Sequence, residues 1–292
     1  MSLSAYAGVA RAPFLLLPVT LVVAGTGAAA YLGQADWFRA TLALVGMLGM
    51  HTAVNALNEA SDYRTGIDLK TQRTPFSGGS GTLPAGRLSQ GKALTTGLLG
   101  AAVGVVVGIY FLTVVGWPLV PILLVGAVAV FAYTDVLARS FVGEFFAGLG
   151  LGALPVLGTA LVQSGGYEPV AIVASLPAFF MTFNLLLLNE FPDEQADREG
   201  GRRNLVILMG RRGAARLYAL FWACAPLSIV LGVVLGQLPA LTLIAVVPSL
   251  LLVKPLQWAL GSAEEAVPIP ALGSNVIWNL STNVVLGIML AL

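Results

Sequence analysis

Charge is what this sequence has little of. Asp, Glu, Lys and Arg make up 10% of its 292 residues, against about 25% in an ordinary soluble domain. So few charges cannot cover a water-soluble globule of this size. Cysteine is confined to Cys224, inside an apolar run, which excludes a disulfide within the chain and a cysteine-based metal site. Low-complexity linkers and any segment resembling a soluble domain are also lacking. The net charge of +1 identifies no partner, and nothing in the pattern points to nucleic acid.

Hydrophobicity fills the gap, at 57% of residues. It is gathered into runs of roughly 20 apolar residues, the length that crosses a bilayer as a helix. The expected fold is all-α: a polytopic membrane bundle of about nine transmembrane helices around a central cavity, with residues 1–292 as a single transmembrane domain. The spans fall near 12–32, 37–58, 93–115, 117–137, 141–163, 169–190, 214–236, 239–258 and 270–291. The first follows a single arginine and reads as a retained helix rather than a cleaved signal, given the many later spans. Stretches such as "GLLGAAVGVVVG" predict close helix–helix contact through small residues.

Two polar connections are much longer than the rest, near 59–92 and 191–213. An even number of spans separates them, so they share one side of the membrane. Placing that side in the cytoplasm puts every lysine and arginine except Arg39 there, as the positive-inside rule demands. Arg211, Arg212 and Arg216 read as anchors of this topology.

Each long connection opens with the same pattern. In "NEASDYRTGID" a span ends at Asn58, with Asp62 and Asp68 following; in "NEFPDEQAD" it ends at Asn189, with Asp193 and Asp197 following. Residues four apart share a helix face, so Asn58 joins Asp62, and Asn189 joins Asp193 and Asp197. Asp68 is out of phase with Asp62, but Gly66 between them permits a turn that folds it back. Four carboxylates in one cavity repel unless a cation neutralises them. Their hard oxygens suit magnesium, which completes its shell with waters and substrate phosphates. Arg64, Lys70, Arg73, Arg202 and Arg203 stand close in sequence as phosphate contacts. The inferred ligand is a polyprenyl diphosphate: magnesium-held phosphates at the cytoplasmic mouth of a hydrophobic cavity, with an apolar tail below.

With both motifs in view, the chain resembles the UbiA-type intramembrane prenyltransferases over nearly its whole length. The first motif is similar to that superfamily's Asn-x3-Asp with a later Asp, the second to its Asn-x3-Asp-x3-Asp with trailing Gly and Arg. "RTPFSGGSGTLPAGRLS" and "AYTDVLARSFVGEFFAGLGLGALPVLGTALVQSG" resemble the naphthoate prenyltransferase branch of menaquinone synthesis. The sequence departs from the usual patterns at Glu59, Glu190, Pro192 and Asn204, which bears on the acceptor and leaves the metal ligands intact.

The resemblance implies Mg-dependent transfer of a polyprenyl group to an aromatic acceptor, hydroxynaphthoate- or hydroxybenzoate-like, with release of diphosphate. It implies metal ligands at Asn58, Asp62, Asp68, Asn189, Asp193 and Asp197. Tyr133, Phe180 and Phe183 are candidates to steady an allylic cation, the phenylalanines more simply as packing. Glu144, a charge inside a span, and Asp135 are candidates to meet the acceptor or the loop arginines. Asn55 and His51 lie on the α-helix leading to Asn58. The alternatives are a terpene cyclase using the same site, transfer to a non-aromatic lipid, and a cation-coupled transporter, whose acids should lie near mid-membrane. A phosphatidyl-alcohol transferase is disfavoured because its Asp-Gly…Ala-Arg…Asp…Asp motif is absent. Oligomeric state and prenyl length are not encoded in any pattern visible here.

Overall fold

The computed structural model describes residues 2–292. Among them every regular element is helical, with no strand. In chain order the main helices are α1 (Ala12–Tyr31), α2 (Trp37–Thr65), α3 (Gln90–Val115), α4 (Trp117–Phe131), α5 (Gly143–Ser164), α6 (Pro169–Glu199), α7 (Leu205–Val234), α8 (Ala240–Gly261) and α9 (Ile269–Ala291). All but α4 are long and apolar enough to cross a membrane; α4 is a shorter apolar helix. This is the expected polytopic bundle.

Local chemistry sets where the helices begin. Asp36 accepts the Arg39 N–H at 3.0 Å and caps α2, and Asn204 accepts the Ile207 N–H at 3.0 Å and caps α7. Pro169 opens α6, where its missing N–H costs nothing. Leu98, Leu99, Val106, Trp117, Val234 and Leu250 point outward and exposed, as lipid-facing side chains do. Inside, Leu21, Val156, Ala174, Ile229 and Leu286 form one apolar cluster joining α1, α5, α6, α7 and α9. The small-residue expectation holds where α2 meets α3. A Cβ on Gly49 or Gly100 would lie 2.6 Å from the other's carbonyl oxygen, so only glycine allows this approach.

Hydropathy placed the ends of two spans too early. α2 runs to Thr65 and α6 to Glu199, well past the 58 and 190 expected. The hydrophobic signal stops at the first polar residue, whereas backbone hydrogen bonding carries the helix on through the motifs. The extension puts Asn58 and Asp62, and Asn189, Asp193 and Asp197, on ordered helical turns. Gly66 then turns the chain, with φ 82°, in the left-handed region that suits a residue without a Cβ. A short helix, Ile67–Lys70, returns Asp68 to the site. α5 is also irregular: a π-helical stretch, Leu149–Ala153, interrupts it. Such bulges often border functional sites, and here Leu151 lines the cavity.

Candidate active site

The ends of α2 and α6 meet over a cavity of about 170 Å³. Its upper walls carry Asn58, Asp62, Asp68, Asn189, Asp193, Asp197 and Arg202; lower down it is lined by Phe14, Leu17, Val54, Leu151, Leu185 and Leu186. Polar groups therefore crown an apolar chamber. A second chamber of about 100 Å³ lies among α2, α3, α4 and α5, lined almost wholly by apolar residues, and shares His51 and Leu151 with the first.

Arg202 ties the two motifs together. Its Nη2 lies 2.5 and 2.6 Å from the Asp62 carboxylate oxygens and donates to Asn58 Oδ1 at 2.7 Å, and its Nε is 3.7 Å from Asp197. Burial opposes its charge, but Asp62 and Asp197 more than offset this and raise the guanidinium above its ordinary range. Asn58 also donates to Asp62 at 2.8 Å. Asp193 accepts from the Thr71 hydroxyl and, at 3.0 Å, from the Gly78 N–H, so the loop after the first motif closes onto the second. Asn204 donates to Asp197 at 3.0 Å.

Asp68 differs from these. Its Oδ2 is buried without a hydrogen-bond partner. Burial, with Glu59 and Asp62 close by, pushes its carboxyl up to about 7. An orphaned buried oxygen among hard carboxylate and amide donors fits magnesium in kind. As placed, the acids are engaged with Arg202, Thr71 and Gly78. Among the described residues no three His, Cys, Asp or Glu side chains enclose an ion. Ligation therefore requires some of these hydrogen bonds to be exchanged for metal.

The remaining candidates divide. Asn55 lines the cavity and donates to the Ala10 carbonyl at 2.9 Å; His51 lines it with Nε2 unpartnered. Tyr133 lines it too; burial, then the nearby Glu190, raises its phenol above the ordinary value. Four expected phosphate contacts do not line the cavity. Arg64 pairs with Asp135 at 2.9 Å and Lys70 with Glu199 at 2.8 Å, both largely exposed. Arg73 donates to the Asp68 carbonyl at 3.1 Å, and Arg203 lies over the Phe141 ring. Sequence proximity to the motifs did not aim them inward, because each points to a carboxylate, carbonyl or ring on the outer side of the loops. Glu144, expected to meet the acceptor or the loop arginines, does not line the cavity. It is fully buried outside the cavity lining and accepts the Leu205 N–H at 2.5 Å, holding the start of α7. Phe180 and Phe183 pack with Phe179 and Phe221 in an aromatic cluster, the simpler of the two readings given for them.

Sequence reasoning missed Arg11 as a site residue. It lines the cavity, in a left-handed backbone conformation with φ 49°, and binds Glu59 at 2.9 Å. Fully buried Glu59 also accepts from Ser80 N–H at 2.6 Å and Ser80 Oγ at 2.8 Å. The signal was available: a lone arginine before the first span, and an acid directly after Asn58.

Comparison with known proteins agrees with this architecture. The UbiA prenyltransferase family matches residues 16–279. The chain is 28% identical over 251 residues to the 1,4-dihydroxy-2-naphthoate octaprenyltransferase of Bacillus subtilis (strain 168), covering 85% of this chain and 78% of that protein. It is 30% identical over 223 residues to the Mycobacterium leprae (strain TN) protein of the same name, covering 73% and 72%. Among solved structures, a UbiA homolog from Aeropyrum pernix K1 aligns with TM-score 0.67 at 17% identity over 95% of this chain and 96% of that one. A UbiA homolog from Archaeoglobus fulgidus bound to DMAPP and Mg2+ aligns with TM-score 0.63 at 14% identity, covering 98% of each. With the paired Asn/Asp motifs closing over one apolar chamber, and the family match spanning all but the chain ends, this protein belongs to the UbiA prenyltransferase family and is a prenyltransferase.

Proposed function

We propose that this protein transfers a polyprenyl group from an isoprenyl diphosphate to an aromatic acceptor, hydroxynaphthoate- or hydroxybenzoate-like, with magnesium as cofactor and diphosphate as leaving group. Quinone or prenyl-lipid synthesis is the process served; the names of the Bacillus and Mycobacterium relatives favour menaquinone. Residues 1–292 act as one transmembrane prenyltransferase domain in the cell membrane, motif loops toward the cytoplasm, as the Lys and Arg distribution favours. The observation that carries the reading is the Arg202 bridge. It unites the two motifs, Arg202 itself lying 140 residues from Asp62 in sequence, at one end of an apolar chamber.

Asn58, Asp62, Asp68, Asn189, Asp193 and Asp197 would hold magnesium, which when bound stabilises charge gathering on the departing diphosphate. Arg202 and Arg11 add positive charge at the cavity mouth. The prenyl tail lies along the Leu17, Val54 and Leu185 surface. Past His51 and Leu151, which line both chambers, the apolar second chamber receives the distal units. These walls keep water from an allylic cation, and the Tyr133 ring can steady it by about 0.5–2 kcal/mol. The acids sit at the last turns of α2 and α6, beside basic loops, rather than midway along a span. That position favours phosphate chemistry over ion passage.

The test is purified protein supplied with an isoprenyl diphosphate, magnesium and an aromatic acceptor. Prenylated acceptor and one equivalent of diphosphate are expected, with loss of both in Asp193→Asn and in chelator. Cyclic product formed without acceptor would replace this reading by a terpene cyclase.

A further inference from the structure

The acid directly after Asn58 has no place in the cavity. Glu59 is fully buried and lines neither chamber. Its hydrogen bonds reach two segments outside α2. Oε1 accepts from Arg11 Nε at 2.9 Å and from the Ser80 N–H at 2.6 Å, and Oε2 accepts from Ser80 Oγ at 2.8 Å. A buried carboxylate engaged through both oxygens is held by the protein and withheld from a ligand.

What Glu59 holds are two pieces of the diphosphate end. Arg11 belongs to the N-terminal segment and lines the cavity. Its one hydrogen bond among the described residues runs through Nε, and its side chain stays 22% exposed. The donors on its two terminal nitrogens are therefore still available. Ser80 belongs to the loop whose Ser77, Gly78 and Gly79 line the same cavity. That loop lies tightly on two of the site's acids. The Gly78 N–H donates to Asp193 at 3.0 Å, and a Cβ on Gly79 would stand 2.5 Å from Asp68 Oδ1. Packing leaves space between the two pieces: a gap of about 260 Å³ is lined by Arg11 and Phe14 and by Thr74, Phe76 and Ser77. The shared carboxylate links them where side chains do not fill.

We propose that Glu59 is a positioning residue for the diphosphate, fixing the Arg11 guanidinium and the glycine loop relative to each other so that Arg11 donates to phosphate oxygens. The inference rests on the isoprenyl diphosphate reading above and deepens it. The placement of the two Glu59 oxygens does this, and the negative charge does not. An acid beside Arg11 repels a phosphate. On charge alone, neutralising Glu59 would tighten diphosphate binding and displacing its oxygens would change little.

A reciprocal pair of variants separates placement from charge. Glu59→Asp keeps the charge but draws the carboxylate back by up to about 1.5 Å, one carbon–carbon bond, which takes it out of hydrogen-bond range of part of its partners. Glu59→Gln loses the charge but keeps an oxygen for Arg11 Nε and the Ser80 N–H, while its amide donates to Ser80 Oγ. Calorimetry reads the binding of inorganic diphosphate with magnesium present. An isoprenyl alcohol, a tail without phosphate, is the control. Glu59→Asp is expected to weaken diphosphate about tenfold, the scale of one hydrogen bond to a charged group. Glu59→Gln should bind it at least as tightly as the wild type. The alcohol should stay within about twofold in both, because its contacts lie along the apolar wall. Unchanged diphosphate binding in Glu59→Asp overturns the proposal, as does a loss in Glu59→Gln equal to that in Glu59→Asp. A matching loss for the alcohol also overturns it, as general loosening. If Glu59→Asp does not fold, Ser80→Ala, which removes the bond to Oε2, should weaken diphosphate at least about threefold, and unchanged binding there overturns the proposal alone. Failure of the wild type to bind inorganic diphosphate would instead sink the underlying reading.

Discussion

Gly126 offers a direct test of where the prenyl tail goes. It stands on α4, lines the second chamber, and a Cβ built on it meets nothing within 4 Å. A larger side chain there grows into empty space rather than into a neighbouring backbone. An apolar cavity of about 150 Å³ accommodates benzene. A ring of that size introduced by Gly126→Phe would therefore take up most of the second chamber, whose volume is about 100 Å³. A tail that still entered would have to displace packed side chains, at a typical cost of 1–3 kcal/mol. By transition-state arithmetic that lowers kcat/KM for long donors about 5- to 150-fold. On this placement a dimethylallyl or geranyl donor stays within the first chamber and should be turned over at the wild-type rate. Glycine inside a helix costs about 1 kcal/mol relative to alanine, so the substitution should not unfold α4. The assay is kcat/KM across donors of increasing length, with one acceptor and excess magnesium. Parallel losses for short and long donors, or no loss for either, would refute the tail placement.

Other outcomes follow from the site geometry. Arg202→Ala leaves Asp62 and Asp197 buried without their cation; removing one partner of a buried pair costs about 3–5 kcal/mol. The variant should melt well below wild type in chelator and recover part of that loss with magnesium and inorganic diphosphate, as read by thermal unfolding in detergent. Replacing Asp62, Asp193 or Asp197 by Asn should each reduce turnover by at least about a hundredfold, the scale for losing a charge-stabilising group; near-normal turnover in all three would remove the assignment. Arg64→Ala and Lys70→Ala, by contrast, break only exposed ion pairs, which are worth about 0–1 kcal/mol. Steady-state kinetics should place both within about threefold of wild type. Glu144→Leu should loosen the start of α7, exposing the Leu205 amide to faster hydrogen exchange, because its buried N–H loses its acceptor.

The sequence by itself determined the class of molecule and the composition of the site. Too few charges and nine long apolar runs leave a helical membrane bundle as the solution, because backbone polar groups in lipid must be satisfied within each span. The four-residue spacing of Asn189, Asp193 and Asp197 fixed their common face, since helix periodicity is local. What local pattern does not carry is direction beyond the helix. Arg202 and Arg203 are adjacent in sequence, yet one bridges Asp62 and Asp197 while the other lies over Phe141. Which of them turned inward depended on how the ends of α2 and α6 were brought to face one cavity. The same applies to Glu144 and Glu190, both acids near the membrane, of which only Glu190 lines the cavity. Arg11 joined the site because the N-terminal segment packs beside Glu59, 48 residues away in sequence. Spacing along one helix is written in its residues; the meeting of distant elements is settled only when their surfaces pack together.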